Sequence, residues 1–434
     1  MDNLDAARLQ MAFTLMFHIV FACIGMVMPF FMIIAHRKWL KTRDPIYLKL
    51  TKSWQKGVAI FFVTGAVSGT ALSFELGLLW PEFMKHAGPI IGMPFSLEGA
   101  AFFVEAIALG FYLYGWDKIS EKFHWFTGII VGISGVASGI LVVSANGWMN
   151  APSGFDFVDG KFLNIDPIQA LLNPAWFTQA LHMTLAAFTA TGFAVAGVHA
   201  FQILKSRQVE LHKRAFKIAI TFAAIAAILQ PISGDLSAKD IAKRQPVKLA
   251  AMEAHYDTTK GAPLYIGGIV DDEKQNVSYK IEVPKALSFL AFGDFDAEVK
   301  GLNDFPENVR PNVPIVHYAF QIMVGIGTLL MAVGILFFIS LKRKSWWQNN
   351  KFWLLFIVLA PMGFIALEAG WVVTEVGRQP WIIHNIMRTK DAVTPMPGMV
   401  FSFYMYVILY SILAIAVTWL MARQIKSLNN TKVA

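Results

Sequence analysis

The chain is a succession of long apolar runs joined by short charged connections. A helix rises about 1.5 Å per residue, so crossing the ~30 Å hydrocarbon core of a bilayer takes roughly 20 apolar residues. Nine stretches meet that requirement, at approximately 9–36, 56–78, 94–116, 124–148, 176–205, 215–233, 314–341, 352–376 and 398–422. The pattern predicts an all-α, polytopic membrane protein of about nine transmembrane helices. One long polar segment, 234–313, interrupts it, mixed in charge and holding Pro246, Pro263, Pro284, Pro306 and Pro311. Neither Ser/Gly-rich nor of low complexity, it reads as a folded lid or substrate loop rather than a linker. The chain thus divides into helices one to six (1–233), the loop (234–313) and helices seven to nine (314–434). No fixed-period repeat is visible.

Charge orients the helices. Arg37, Lys38, Lys41, Arg43, Lys49, Lys52 and Lys56 follow the first run; Lys118 and Lys122 the third; Lys205, Arg207, Lys213 and Arg214 the fifth; Lys342, Arg343, Lys344 and Lys351 the seventh; Arg423, Lys426 and Lys432 the ninth. Basic connections face the cytoplasm, so the N-terminus is expected outside, the C-terminus cytoplasmic and the long loop outside. Trp80, Trp148, Trp176 and Trp381 then form an outer aromatic belt, and Trp39, Trp54, Trp116, Trp125, Trp346 and Trp347 an inner one.

Composition agrees: 56% hydrophobic, 15% charged, mean hydropathy +0.52, against about 25% charged in soluble proteins. The net charge of +8 is accounted for by the basic connections and needs no nucleic acid. A single cysteine, Cys23, rules out a disulfide framework and a CxxCH attachment of c-type haem. Met11 to Ala35 is too long for a signal peptide, lacks a small-residue cleavage site and has its basic cluster after it, so it reads as a first span.

The chemistry lies in polar residues inside the runs. Glu368 is preceded by sixteen uncharged residues, and a carboxylate at such depth costs roughly 2.5–3.5 kcal/mol or more. A metal, a partner charge or a proton route would offset that cost. Glu375 follows two turns later, then Arg378 and Trp381 where the run ends. By residue count along the predicted helices, His18, Glu98, Glu105, His182, Met323 and Glu368 all fall in the outer half of the membrane. Two histidines, a buried glutamate and a suitably placed methionine suggest bound iron, most economically haem, for which His and Met are axial ligands. Each has a plainer reading. An intramembrane histidine often only bonds a neighbouring helix, and Met323 is one of 19 methionines, mostly core. His36, His199 and His212 read as interfacial. Glu98 and Glu105 are seven apart, on one helix face about 10 Å apart along the axis, and such carboxylates relay protons through water or bond structurally to neighbours.

Eight stretches carry a resemblance over essentially the whole chain: LQMAFTLMFHIVF around His18, LEGAAFFVEA around Glu98 and Glu105, YGWDK at Tyr114 to Lys118, SANGWMNAP at Ser144 to Pro152, the Asn173-Pro174 and His182 region, KLAAMEA around Lys248 and Glu253, FQIMV around Met323, and EAGWVVTEVGRQPW. In these the chain resembles subunit I of the cytochrome bd-type quinol oxidases. The resemblance implies a haem-bearing subunit of a respiratory oxidase in the bacterial inner membrane. His182 and Met323 would be axial ligands of a low-spin haem b, and His18 and Glu368 single ligands of two high-spin haems. Those would be haem b plus haem d, or haem b in place of d. Lys248 and Glu253 match quinol-site positions, Glu98 and Glu105 the residues delivering protons to the oxygen site, and Arg378 a propionate partner. Quinol would be oxidised at the outer face and O2 reduced to water with cytoplasmic protons, separating charge without a pump. The family also implies a haem-free subunit II in a heterodimer, with room for a small third subunit.

Gln321 and Phe364 stand where many relatives carry Arg and Trp. The short outer loop, the carboxylate spacing of seven and the YLYGWD wording are closer to the cyanide-insensitive branch, some of whose members carry haem b at the oxygen site. The competing readings are a proton-coupled secondary transporter, which predicts inverted repeats and broken midplane helices, a haem-b quinol-linked reductase that does not use O2, and a catalytically silent scaffold.

Overall fold

The computed structural model describes residues 1–430; Lys432 of the basic tail lies outside them. Among the described residues, nine helices are long and apolar enough to span a membrane. They are α1 (Asn3–Thr42), α2 (Pro45–Leu79), α3 (Pro81–Tyr114), α4 (Glu121–Asn150), α5 (Trp176–Leu204), α6 (Val209–Arg244), α7 (Val313–Lys342), α8 (Asn350–Val376) and α9 (Met399–Asn430). Side-chain caps start several: Asp2 accepts from Asp5 N, Asp44 from Ile46 N, Asn312 from Ile315 N and Asn349 from Lys351 N. Each satisfies a first-turn amide that has no helical partner.

Most of the helices outrun the apolar pattern, α2 by starting at Pro45 and α9 by ending at Asn430, and in three the departure has a local reason. α3 begins at Pro81, thirteen residues before the expected start at Pro94, and runs through Pro89 and Pro94. Proline removes a helical bond and is tolerated where neighbouring helices enclose the freed backbone. α6 continues to Arg244 rather than ending at 233. Its last turns are polar but laced by i,i+4 pairs, Lys239–Asp235 at 2.7 Å and Arg244–Asp240. α8 is two helices, Asn350–Leu359 and Met362–Val376. Pro361 sits between them and cannot donate to the helical ladder.

The closest pairings are α5 with α6, α1 with α2, α3 with α4, and α7 with the second half of α8. Glycines set the approach. A Cβ built on Gly197 of α5 would lie 2.4 Å from Ala360 Cβ and 2.7 Å from the Phe356 carbonyl oxygen of α8.

Residues 245–312 close one end of the bundle, called here the loop face; the opposite end is the basic face. The segment is folded. A helix, Pro246–Met252, leads into three short antiparallel pairs: Leu264–Ile266 with Ile281–Val283, Ile269–Asp271 with Asn276–Ser278, and Thr259–Lys260 with Glu298–Val299. Leu249, Ala262, Leu287, Ala291 and Val299 bury together beneath it. It is fastened to α7: Gln321 Nε2 donates to the Tyr265 carbonyl at 2.8 Å and Gln321 Oε1 accepts from Gly267 N at 3.2 Å. The Tyr318 hydroxyl accepts from Val270 N at 3.0 Å.

Gly197→Ala should lower the melting temperature of the purified protein, by a cost of about 1–3 kcal/mol for overpacking. Gly325→Ala, whose Cβ would meet nothing within 4 Å, should not. Equal melting curves for the two would contradict the close α5–α8 approach.

Candidate functional site

His18 on α1 and His182 on α5 are prepared in the same way. His18 Nδ1 lies 2.9 Å from Ser68 Oγ of α2, and that hydroxyl donates to the Thr64 carbonyl at 2.8 Å. His182 Nδ1 lies 2.9 Å from Ser233 Oγ of α6, and that hydroxyl donates to the Gln230 carbonyl at 2.8 Å. Each serine proton is spent on a carbonyl, so each serine oxygen accepts from Nδ1–H. The tautomer is thereby fixed, with the lone pair on Nε2. A metal-ligating histidine is held in this manner by its second nitrogen. Gln230 Nε2 lies over the ring, 3.2 Å from His182 Nε2 and 3.3 Å from Nδ1, and donates to the His182 carbonyl at 3.2 Å.

Glu368 and Met323 lie on the paired helices α8 and α7. Among the described residues, both carboxylate oxygens of Glu368 are buried without a hydrogen bond, as is Trp371 Nε1 one turn on. Cys23 of α1 lies within electrostatic reach of the carboxylate. The Met323 sulfur packs on α8, 3.0 Å from where a Cβ on Gly370 would stand.

Glu98 and Glu105 do share a face of α3, toward α4. Glu98 Oε1 accepts from Ser138 Oγ at 2.9 Å, and both Glu105 oxygens lie 3.5 Å from a Cβ built on Gly135. Their depth differs from the expectation that all six residues share one half of the membrane. Glu105 stands nine residues from the Tyr114 end of α3 and is nearer the basic face, beside Met26, two turns beyond His18 on α1. The cause is the early start of α3, which moves its middle toward Glu98.

Where the helices meet the loop lies a dense polar cluster. Arg378 is buried and pairs with Glu375, whose other oxygen accepts from Asn146 Nδ2 at 2.6 Å. Lys248, buried rather than solvated, donates to Asn150 Oδ1 at 2.7 Å, and Gln245 Nε2 donates to the Asn150 carbonyl at 2.9 Å. Arg378 Nε and Nη1 and His384 Nδ1 remain buried without partners. Burial, then the Arg378 charge, lowers the Lys248 amine to about 7, against the pull of Glu375. Burial raises the Glu253 carboxyl to about 8. Burial, then Lys248 and Arg378, lowers His384 to about 4.

Unpaired donors, a bare carboxylate and two tautomer-fixed imidazoles describe places for a bound anionic, metal-bearing group. Orphaned buried polar atoms on this scale are rare in a finished protein interior. The donor set of imidazole, thioether and carboxylate suits haem iron, and the guanidinium suits its propionates. Sequence reasoning missed Ser68, Ser233, Asn146, Asn150 and His384. The two asparagines were visible as an i,i+4 pair in SANGWMNAP, whereas the serines are ordinary residues until folding brings them to the imidazoles.

The fold and these sites define a multi-pass membrane protein built to carry a redox group. The family model described as cytochrome bd terminal oxidase subunit I matches residues 6–429. The solved bd oxidase from Geobacillus thermodenitrificans superimposes with a TM-score of 0.93 at 37% identity, covering 98% of this chain and 99% of that one. A Bacillus subtilis chain provisionally named a cytochrome bd menaquinol oxidase subunit I is 35% identical, over 97% of this chain and 96% of its own. Another from the same organism, cytochrome bd ubiquinol oxidase subunit 1, is 31% identical over 98% and 94%. The chain belongs to the cytochrome bd terminal oxidase subunit I family, a family of haem-dependent oxidoreductases of the bacterial inner membrane.

Glu253 yields a pH test. Folded, it holds its proton up to about pH 8; unfolded, it loses it near 4.3. Between those values the folded state binds the extra proton, so stability falls as pH rises. Glu253→Gln, which keeps the neutral form, should therefore gain on the wild type progressively from pH 5 to 8 in thermal melts of the solubilised complex. A constant difference across that window would contradict a neutral Glu253.

Proposed function

We propose that this chain is the haem-carrying subunit of a terminal quinol oxidase, with the loop face outside, the N-terminus outside and the C-terminus cytoplasmic. The observation that carries the reading is the pair of intramembrane histidines, each locked by a serine with Nε2 left to bind iron. Bound haem supplies electron transfer and dioxygen reduction. His182 and Met323 would hold a low-spin haem b that would carry electrons. His18 and Glu368 would each hold a high-spin haem, one of type b and the other of type d or b, that would supply the dioxygen chemistry. Arg378 offers Nε and Nη1 to propionates and keeps Glu375 as its counter-ion.

Quinol must lose protons as it loses electrons. Lys248, buried under the loop and lowered to about 7, suits acceptance of a hydroxyl proton near neutral pH, and Glu253, raised to about 8, suits passing a proton on as an acid that is largely neutral there. The folded segment 245–312, fastened through Gln321 and Tyr318, keeps water from that site. Glu98 and Glu105 hold protons on the way from the basic, cytoplasmic face to the oxygen site. Protons released outside and taken up inside separate charge with no pumping step. Subunit II completes the enzyme, with a small third subunit as an addition.

His182→Ala should abolish the low-spin haem absorption and quinol oxidation together, as read in reduced-minus-oxidised spectra and oxygen uptake. Ser233→Ala should keep the fold but weaken haem retention about 10–100-fold, the usual cost of a lost ligand-orienting bond. A full low-spin spectrum in His182→Ala would overturn the assignment. Glu105→Gln should slow turnover with haem content near normal; a variant that turns over at the wild-type rate would remove Glu105 from the proton route.

A further inference from the structure

One buried carboxyl has no part in the scheme above. Glu75 lies on α2, four residues from its loop-face end at Leu79, and is fully buried. Three side chains from two other helices converge on it. Gln10 of α1 donates to Glu75 Oε1 at 2.8 Å. Thr14 of α1 places its hydroxyl between the carboxylate and the phenol of Tyr410 on α9, in reach of both. Tyr410 is one of only three buried residues described on α9, an otherwise exposed helix, and its ring packs on Phe17 at 4.5 Å. Yet Gln10 Oε1, Thr14 Oγ1, Glu75 Oε2 and the Tyr410 hydroxyl are all buried without a formed hydrogen bond among the described residues. Four orphaned polar atoms around one carboxyl make a site with room for hydrogen-bonding partners, most simply water and an exchangeable proton.

The position of the cluster gives it a role. Gln10, Thr14 and His18 are spaced four and four on α1, one stripe of the helix. Glu75 and Ser68 are seven apart on the facing stripe of α2, and Ser68 is the residue that holds His18. The cluster therefore stacks on the loop-face side of His18, about 10 Å away along the helices. In a medium of low dielectric, one charge at that distance shifts a proton equilibrium by roughly tenfold.

We propose that Glu75, with Gln10, Thr14 and Tyr410, is a proton-accepting site that takes up a proton from the loop face when an electron reaches the haem held by His18. The step balances: the electron comes from quinol, the carboxylate gains one proton from water at the loop face and becomes the carboxylic acid, and reoxidation returns the proton to the same side. Other titratable groups near Glu75 are few. α9 presents the phenols of Tyr406 and Tyr410; α1 presents only Gln10 and Thr14. On α3, Glu82, Lys85 and His86 pair with one another past Trp80 at the loop face, and α6 meets α2 at the opposite end through Arg214 and Asp44. The proposal rests on His18 being a haem ligand.

The test uses the purified, haem-loaded complex. Redox titrations of the high-spin haems at several pH values are compared between the wild type and Glu75→Gln, alongside redox-difference infrared spectra. Glu75→Gln should retain haem content and carbon monoxide binding, show a shallower dependence of the high-spin midpoint potential on pH, and lose one carboxylic-acid C=O band. Glu75→Asp should restore part of the slope. An unchanged slope with an unchanged band, in a fully haem-loaded Glu75→Gln, overturns the proposal. If Glu75→Gln fails to assemble, Thr14→Val keeps the shape and removes the bridging hydroxyl. A shifted carboxyl band in that variant supports the site, and an unshifted one overturns it. Loss of no haem in His18→Ala would instead overturn the parent reading, and is read independently of the Glu75 variants.

Discussion

A bilayer core offers no water to a polar group, and that constraint organises the whole protein. Each backbone amide in the core must be satisfied within its own helix, which is why the described residues cross it as nine long helices. Each side-chain donor or acceptor placed inside must find a partner or carry a function. Most do find one: Ser68 and Ser233 return their protons to the preceding turn, and Glu98 accepts from Ser138. Among the described residues a minority find none, and Glu368, two nitrogens of Arg378 and the Glu75 cluster are among them. An unmet polar group in this setting is a statement about what binds there.

The loop-face cluster shows how the extramembrane segment and the helices make one site. Asn146 and Asn150 come from α4, Lys248 and Gln245 from the start of the loop, Glu375 and Arg378 from the end of α8. None of these elements adjoins another in sequence. Desolvation by their mutual packing is the largest influence on Lys248 and Glu253, so the proton chemistry of the site depends on the lid staying folded. Gln321 takes part in that fastening. At this position an amide spans two backbone groups of the lid.

Much of this was legible beforehand. Apolar run length announces spanning helices because thickness is a single number the chain must match, and Glu368, Glu98 and Glu105 announced themselves by cost. Glu75 carried the same signal, a carboxylate inside an apolar run, and was passed over. The end of α6 and the start of α3 lie beyond their apolar runs because hydropathy marks lipid contact, whereas i,i+4 ion pairs let α6 continue and α3 runs through Pro89 and the buried Pro94. Nothing local in the sequence records that Lys248 and Glu253 will be buried by a lid.

The sequence by itself determined the membrane-spanning architecture, the family and the candidates for binding iron. Each of these depends on composition, period or motif along one stretch of chain. The tertiary structure alone decided which nitrogen of each histidine is free, which carboxyl lies beside which helix, at what depth Glu105 sits and which buried groups go unpaired. Those properties depend on what a different helix places opposite, and hydrogen bonding and desolvation act over a few ångströms in space, without regard to distance along the chain.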